Sequence, residues 1–342
     1  MAQAHQLGSC SSIWVDADYN PFRCGMEPRA RRYGCIVNAA IHLRLLCIAG
    51  IAASLLAHGP ARAQETFLLP DALKMARDTP LIDASPGKAF DITIGAVAMR
   101  RGRAAYGVSD RAEVLLSAVG TPARIAQRIP LESPIGGIHA LAYAPGADRF
   151  FAVVADRRGT RQGILTFKLR PAGNDLYGAD PRTEVRLDCL DKLPAELAGC
   201  EIVGIAVSDD ASRIHLASPR VGRATIASFE VDRTEYSART HTETIWSKPL
   251  GARDLPLPSG NTLAAFAAGT GGFWLAATSA AGSHTVLWAA DGAEAPRPAF
   301  PPFGRDTQIA GLSVDQGTMV AVLKDRSGSH PKVVEIPLII GR

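Results

Sequence analysis

Short apolar segments of six to eight residues, separated by turns rich in Gly, Pro, Asp and Ser, recur from residue 150 to near the end of the chain. Segments of this length that are bounded by turn-forming residues are typical of β-strands. The clearest are 150–156, 163–169, 213–218, 224–231, 273–279, 284–289, 319–325 and 332–338. No series of segments with helical periodicity alternates with them. The pattern therefore predicts an all-β fold and disfavours a parallel α/β fold.

The strand pattern itself repeats. Each copy has an apolar strand, a turn rich in Asp, Gly or Ser, a second apolar strand, a loop with charge or Gly, and a third strand. Copies lie at 136–170, 201–231, 262–290 and 308–338, with a weaker one at 92–120. The aligned apolar positions are Val97, Leu141, Ile205, Phe266 and Leu312.

A unit of this kind that recurs at roughly 50 residues is typical of a β-propeller. One such sheet cannot bury both of its faces, so several pack around a common axis. We expect five or six blades of three- to four-stranded antiparallel sheet. A β-sandwich and a solenoid are the competing all-β folds.

The start of the chain has a different character. Residues 45–57 form an uncharged apolar run, which is shorter than the roughly 20 residues that cross a membrane. Basic residues precede the run, and Ala61-Arg62-Ala63 follows it. This arrangement predicts a secretory signal peptide that is cleaved before Gln64; a buried helix of the mature domain is the alternative. We therefore expect a leader over 1–63 and one propeller domain over 64–342, periplasmic or secreted, with no transmembrane segment in the mature chain.

Two details of the leader remain open. A leader of 63 residues is longer than the roughly 15–30 of most signal peptides, so we expect Met26 to be the true start. The pair Arg31-Arg32 suits a twin-arginine signal, but it also suits the basic region of a general signal peptide.

The net charge argues against nucleic-acid binding, and the cysteine positions predict a disulfide. The formal net charge is +4, and most of the excess lies in the leader, so the mature domain lacks the basic excess of a nucleic-acid-binding protein. Four of the six cysteines also lie in the leader. The remaining two, Cys189 and Cys200, would pair in an oxidising compartment, so we predict one structural disulfide.

The residues with candidate chemistry lie where predicted strands end. Three acids occupy such positions, and each is followed directly by an arginine. The pairs are Asp110-Arg111, Asp156-Arg157 and Asp325-Arg326. In a propeller, equivalent strand ends share one level, where three carboxylates could bind Ca²⁺ and the arginines could hold a phosphate or carboxylate. Ordinary turn chemistry with solvated ion pairs is the alternative interpretation. His139, beside Gly136-Gly137, begins a strand that we expect near the axis, and it completes the candidate site.

Two of the repeats resemble a known family. The stretch GGIHALAYAPGADRFFAVVADRRG (136–159) is similar to the GGLSGLAYD-G-RFYALSDRG unit of phytase-like proteins ("esterase-like activity of phytase"). The stretch EIVGIAVSDDASRIHLAS (201–218) resembles the EGIAVSPDGRTLYVASE turn of that family. This chain departs from the family at Ala155, where the family has Ser, and at Ser218-Pro219, where an acid is common.

The resemblance implies a β-propeller and hydrolase chemistry, with Ca²⁺ as the conceivable cofactor. We therefore carry two function hypotheses. The first is an exported phytase-like hydrolase of a phosphoester, ester or lactone. The second is a non-catalytic propeller that binds an envelope protein or a carbohydrate. In either case we expect a monomer with a small-molecule ligand or an envelope protein as its partner.

Overall fold

The structure is a computed structural model that describes residues 76–83, 92–131, 135–156, 162–173, 176–187, 201–239, 242–304, 306–325 and 330–338. The predicted leader, Arg157, Arg326 and both cysteines of the predicted disulfide lie outside these ranges. Within them, all regular secondary structure is β-strand, as the apolar segments predict. None of the described residues belongs to a helix long and apolar enough to cross a membrane.

The strands form five successive four-stranded units, which we call blades 1 to 5. The chain begins with β1 (Arg77–Pro80) and β2 (Ile82–Asp83). Blade 1 contains β3 (Ile94–Arg100), β4 (Arg103–Val108), β5 (Glu113–Ala118) and β6 (Thr121–Pro130). Blade 2 contains β7 (Ile135–Ala144), β8 (Arg149–Asp156), β9 (Gln162–Gly173) and β10 (Leu176–Leu187).

The remaining blades repeat this order. Blade 3 contains β11 (Gly204–Val207), β12 (Arg213–Arg220), β13 (Arg223–Ser237) and β14 (Thr242–Pro256). Blade 4 contains β15 (Asn261–Gly269), β16 (Gly272–Ser279), β17 (His284–Ala290) and β18 (Arg297–Pro298). Blade 5 contains β19 (Thr307–Asp315), β20 (Thr318–Asp325), β21 (Lys332–Pro337) and, as its outer strand, β1.

The first strand of each blade lies at the centre of the molecule. Strands β3, β7, β11, β15 and β19 each contact the corresponding strands of the two neighbouring blades, so they close a ring. Each pairs antiparallel with the second strand of its own blade. The fold is therefore a five-bladed β-propeller. This confirms the predicted fold class, and of the two predicted blade numbers, five and six, the structure has five.

The cores lie between the blades. The described residues form five hydrophobic clusters, and each contains buried side chains from two adjacent blades. This is the burial that the repeat requires, because the two faces of every sheet are covered by its neighbours.

The two ends of the chain meet in blade 5. Strand β1 pairs antiparallel with β21, and β2 then adds in parallel to β6 of blade 1. Leu81, between these two strands, is buried in the cluster shared by blades 1 and 5. A second connection joins blades 2 and 3, where the outer strands β10 and β14 pair in parallel and merge both sheets into one of eight strands.

Candidate functional site

The five innermost strands share a four-residue pattern that builds the axis. Its first and fourth residues are large and apolar, and its third is Ala or Gly. The copies are Ile94-Gly95-Ala96-Val97, Ile138-His139-Ala140-Leu141, Ile202-Val203-Gly204-Ile205, Leu263-Ala264-Ala265-Phe266 and Ile309-Ala310-Gly311-Leu312. The fourth residues are those aligned from the sequence, and each lies opposite a residue of the second strand of its blade.

The second residue of the pattern is a β-bulge in four of the strands. The register shifts across Gly95, His139, Ala264 and Ala310, which leaves each of these residues without a direct cross-strand partner. A bulge re-aims the side chain of the extra residue. We call Gly95, His139, Val203, Ala264 and Ala310 the axial ring. His139 is its one polar side chain.

Small residues at the third position let neighbouring strands approach closely. A Cβ atom on Gly204 would lie 2.3 Å from Cβ of Phe266, and one on Gly311 would lie 2.7 Å from the backbone nitrogen of Val97. Neither distance is possible for a real side chain, so the glycines permit a narrow axis.

The axial cavity is correspondingly small. It is lined by residues of four innermost strands, β3, β7, β15 and β19, and by Val203 in the segment before β11; His139 is among the lining residues. Its volume is about 10 Å³, which is room for about one water molecule. A ligand larger than water would therefore have to lie over the mouth of the axis.

Two ionisable side chains from other blades lie near enough to act on the charge of His139 at this mouth. They are Glu201, three residues before β11 of blade 3, and Lys324 of β20 in blade 5, and we call these two residues and His139 of blade 2 the axial cluster. Burial lowers the pKa of the His139 imidazole; the nearby carboxylate of Glu201 raises it and the ammonium of Lys324 lowers it further. The net effect is a pKa below the ordinary value of 6.5, so the imidazole is neutral at pH 7.

Lys324 is held in an unusual setting for a lysine. Successive side chains of a strand point to opposite faces, so Lys324 shares a face with Val320 and Val322, which are buried between blades 5 and 1. Burial lowers the pKa of its ammonium group. No hydrogen bond or ion pair joins the side chain of Lys324 to any residue that the structure describes. The same holds for the side chain of His139 within the described part of the chain.

The structure places the three predicted acids at one end of the propeller. Asp156 and Asp325 are the last residues of second strands, and Asp110 follows the second strand of blade 1 by two residues. All three lie at the end where the innermost strands begin, which we call the entry end. Asp110 is exposed, and its carboxylate accepts a hydrogen bond of 3.2 Å from Nε of the adjacent Arg111, as in the turn-chemistry alternative.

Convergence of these acids on one ligand stays a prediction. The side chains of Asp156, Arg157 and Arg326 lie outside the description. Asp325 is half-buried and neighbours Lys324, but the alternation of the strand directs the two side chains to opposite faces. Among the described residues, no group of three or more His, Cys, Asp and Glu could hold a metal ion.

Sequence reasoning selected His139 and missed Lys324 and Glu201. Lys324 lies one residue before Asp325, and Glu201 is the first residue of the second family-like stretch, so both were at or next to inspected positions. The available signal was the alternation in MVAVLKD, where the lysine continues the buried face of Val320 and Val322.

Comparisons with known proteins find similar folds. The crystal structure of glutaminyl cyclase from Myxococcus xanthus matches with a TM-score of 0.44 and 11% identity, over 77% of this chain and 97% of that one. The β-propeller domain of Cps50 (Swd1) from Myceliophteria thermophila matches with a TM-score of 0.33 and 9% identity, over 71% and 83%. U3-55K matches with a TM-score of 0.38 and 10% identity, over 76% and 98%.

These likenesses carry no information on function. No family model and no curated protein sequence matches the chain. The resemblance to phytase-like proteins therefore stays a prediction.

Proposed function

We propose that this chain is an exported β-propeller that binds a small anionic ligand, carrying a phosphate or carboxylate group, over the mouth of its axis. The observation that supports the proposal is the axial cluster, in which the half-buried ammonium of Lys324 is near enough to act on the charge of the neutral His139 imidazole, and neither group has a hydrogen-bond partner among the described residues.

Partial burial of the Lys324 ammonium group costs free energy. Removing an ammonium from water disfavours the charged form, and the described residues offer it no counter-charge. An anion at the mouth would supply that counter-charge and accept a charge-assisted hydrogen bond. The same anion would favour protonation of His139, which could then donate a second bond.

Glu201 restricts the ligand. Its carboxylate is exposed and close enough to act on the charge of His139. It would repel an extended polyanion and accept hydrogen bonds from hydroxyl or amino groups. This favours a small anion with hydrogen-bond donors, either free or as a terminal group of an envelope protein or carbohydrate.

Hydrolysis of a phosphoester, ester or lactone is the second candidate function. It is favoured by the low pKa of His139, because a neutral imidazole can accept a proton from an attacking water. Lys324 would then stabilise negative charge that develops on the substrate. The phytase-like resemblance supports the same chemistry, with Ca²⁺ as the cofactor that it implies.

Calorimetric titration with inorganic phosphate and with acetate tests the binding proposal. We expect saturable binding of at least one, weakened about 10- to 100-fold in Lys324→Gln, since a hydrogen bond to a charged group contributes about 1.5–3 kcal/mol. Lys248→Gln is the matched control, because this exposed lysine pairs with Asp232 on the outer strands of blade 3. No binding of either anion, or equal loss in both variants, would contradict the proposal.

A substrate panel separates the two candidates. If the chain is a hydrolase, turnover of a generic phosphoester, ester or lactone should fall by about 100-fold or more in His139→Gln while anion binding persists. Loss of that turnover in a chelator, with recovery in Ca²⁺, would support the calcium-dependent form. Binding without turnover on any of the three substrate classes would favour the non-catalytic function.

A further inference from the structure

At the end of the propeller opposite the entry end, a basic and aromatic cluster lies between blades 1 and 2. The turn between β3 and β4 has the sequence Arg100-Arg101-Gly102-Arg103. It lies beside the turn that connects β7 and β8, which ends at Asp148, and beside Tyr143 and Tyr177 of blade 2.

One part of this cluster is rigid. Arg100 is buried, and its guanidinium donates to both carboxylate oxygens of Asp148, at 3.1 and 3.3 Å. The hydroxyl of Tyr143 donates to the same carboxylate at 2.6 Å. The pKa of Asp148 lies below its ordinary value, because the hydrogen bonds and charges of its partners outweigh its desolvation. Asp148 is therefore an anion that is already occupied by its neighbours.

Tyr177 joins the third arginine of the cluster, Arg103, to this rigid part. The guanidinium of Arg100 lies 5.2 Å from the centre of its ring, and that of Arg103 lies 5.6 Å away. The backbone of Tyr177 is held by the side chain of Gln127 on blade 1, through bonds of 2.6 and 2.9 Å. The position of Arg103 is thus set by packing on an aromatic ring that is itself fixed in place.

The charges of the cluster do not balance. Arg101 is 67% exposed and only approaches Asp148, at 3.8 Å. Arg103 has no ion pair with any carboxylate in the described ranges. The cluster therefore contains three guanidinium groups and one carboxylate, that of Asp148. The acids of the next turn, Asp209 and Asp210, belong to blade 3, and the carboxylate of Asp210 is held by Ser208 and Ser212.

We propose that this cluster is a docking surface for an acidic segment of a partner protein, with carboxylate side chains that pair with Arg101 and Arg103. Guanidinium groups are suited to carboxylates because their N–H groups match the two oxygens. The fixed Arg100–Asp148–Tyr143 unit holds the surface in place and leaves the two outer arginines with only weak contacts: Arg101 lies 3.8 Å from Asp148, and Arg103 donates to the backbone carbonyl of Ser117 at 3.4 Å. The proposal is independent of the axial mouth, which lies at the other end.

The backbone conformation at Arg101 allows its charge to be removed without straining the fold. Its φ is 51°, in the left-handed region that favours glycine, and Gly102 follows with φ 75°. Arg101→Gly removes the charge while suiting the backbone, so we expect no loss of folding stability. Arg101→Lys keeps the charge. Arg239→Gly, at an exposed position outside the cluster, is the matched control for a lost arginine.

Binding of fluorescein-labelled hexaglutamate, measured by anisotropy at low salt, tests the proposal. We expect three- to five-fold weaker binding in Arg101→Gly, a further loss of similar size when Arg103→Gln is added, a smaller loss in Arg101→Lys, which keeps the charge without the guanidinium geometry, and near wild-type binding in Arg239→Gly. Addition of salt should weaken the wild type more than the double variant.

Three results would overturn it: no binding of hexaglutamate, an equal loss in Arg239→Gly, or preference for inorganic tripolyphosphate over the peptide. The last would assign the surface to phosphate-bearing ligands.

Discussion

Two histidines of this propeller are removed from water to different extents, and their surroundings also differ: His139 is half-buried and His284 is fully buried. His284 lies between blades 4 and 5 and is fully buried; its Nδ1 bonds Oγ1 of Thr278 at 2.8 Å and its Nε2 bonds Oγ1 of Thr307 at 2.9 Å. His139 lines the axis at the centre and makes no hydrogen bond to any described residue. In both, burial lowers the pKa of the imidazole.

The difference separates a structural histidine from a candidate binding group. A buried polar group is ordinarily paired, because an unpaired one costs free energy on folding. His284 follows this rule and contributes to the packing between two blades. At the axial mouth, His139 and Lys324 are only half-buried and have no hydrogen-bond partner among the described residues, so their polar atoms remain open to solvent or to a ligand that pairs with them.

The largest expected effect comes from removing the structural histidine. His284→Ala deletes two side-chain hydrogen bonds and leaves a void beside Phe303, so we expect a loss of about 3 kcal/mol in the free energy of unfolding. His139→Ala, the matched change at the axis, should cost less than about 1 kcal/mol, because no described hydrogen bond is lost. Urea denaturation of both variants measures the two losses in the free energy of unfolding. Losses of similar size would contradict the distinction between a structural His284 and a binding His139.

Acid should destabilise the protein through its buried histidines. Burial lowers the pKa of His215 to about 4, where Asp291 opposes the shift and Arg213 and Arg253 add to it. The unfolded chain binds a proton below about pH 6.5 and the folded imidazole does not, so stability falls as pH drops from 6.5 to 4 and the slope then vanishes for this group. The loss is about 3 kcal/mol for His215.

Urea denaturation across this pH range, compared between the wild type and His215→Gln, measures the contribution. The lowered pKa values of His139 and His284 act in the same direction and remain in the variant. An unchanged pH dependence in His215→Gln would show that His215 does not keep its neutral form.

A smaller and opposite effect is expected at Lys324. Lys324→Met replaces an unpaired half-buried ammonium with an apolar side chain of similar length, so stability should rise by about 0.5–1 kcal/mol while anion binding is lost. Lys332→Met, on the neighbouring strand, should give no gain because that ammonium is exposed and lies 3.4 Å from Asp78. Destabilisation by Lys324→Met would mean that the lysine has a structural role.

The fold was predictable from sequence because each blade follows the same local pattern of apolar and turn-forming residues. Alternating apolar segments gave the strands, and the aligned positions from Val97 to Leu312 do occupy equivalent places in the five innermost strands. The closing of the ring was not predictable. Strands β1 and β2 are short and polar, and their role depends on long-range pairing with β21 and β6.

The site was predictable only in part. His139 stood out because it lies beside Gly136-Gly137 at the start of a strand expected near the axis. Lys324 and Glu201 are ordinary surface residue types, and only the packing of blades 5, 2 and 3 brings their charges together. Burial of Lys324 likewise depends on which face of β20 meets blade 1.

The most direct test of the central claim is an NMR titration of the histidine ring protons with and without inorganic phosphate. We predict that phosphate shifts the His139 signals and raises the pKa of His139, that the signals of His215 and His284 stay unchanged, and that Lys324→Gln weakens the effect. Unaffected His139 signals at high phosphate, or shifts confined to other histidines, would contradict an anion site at the axial mouth.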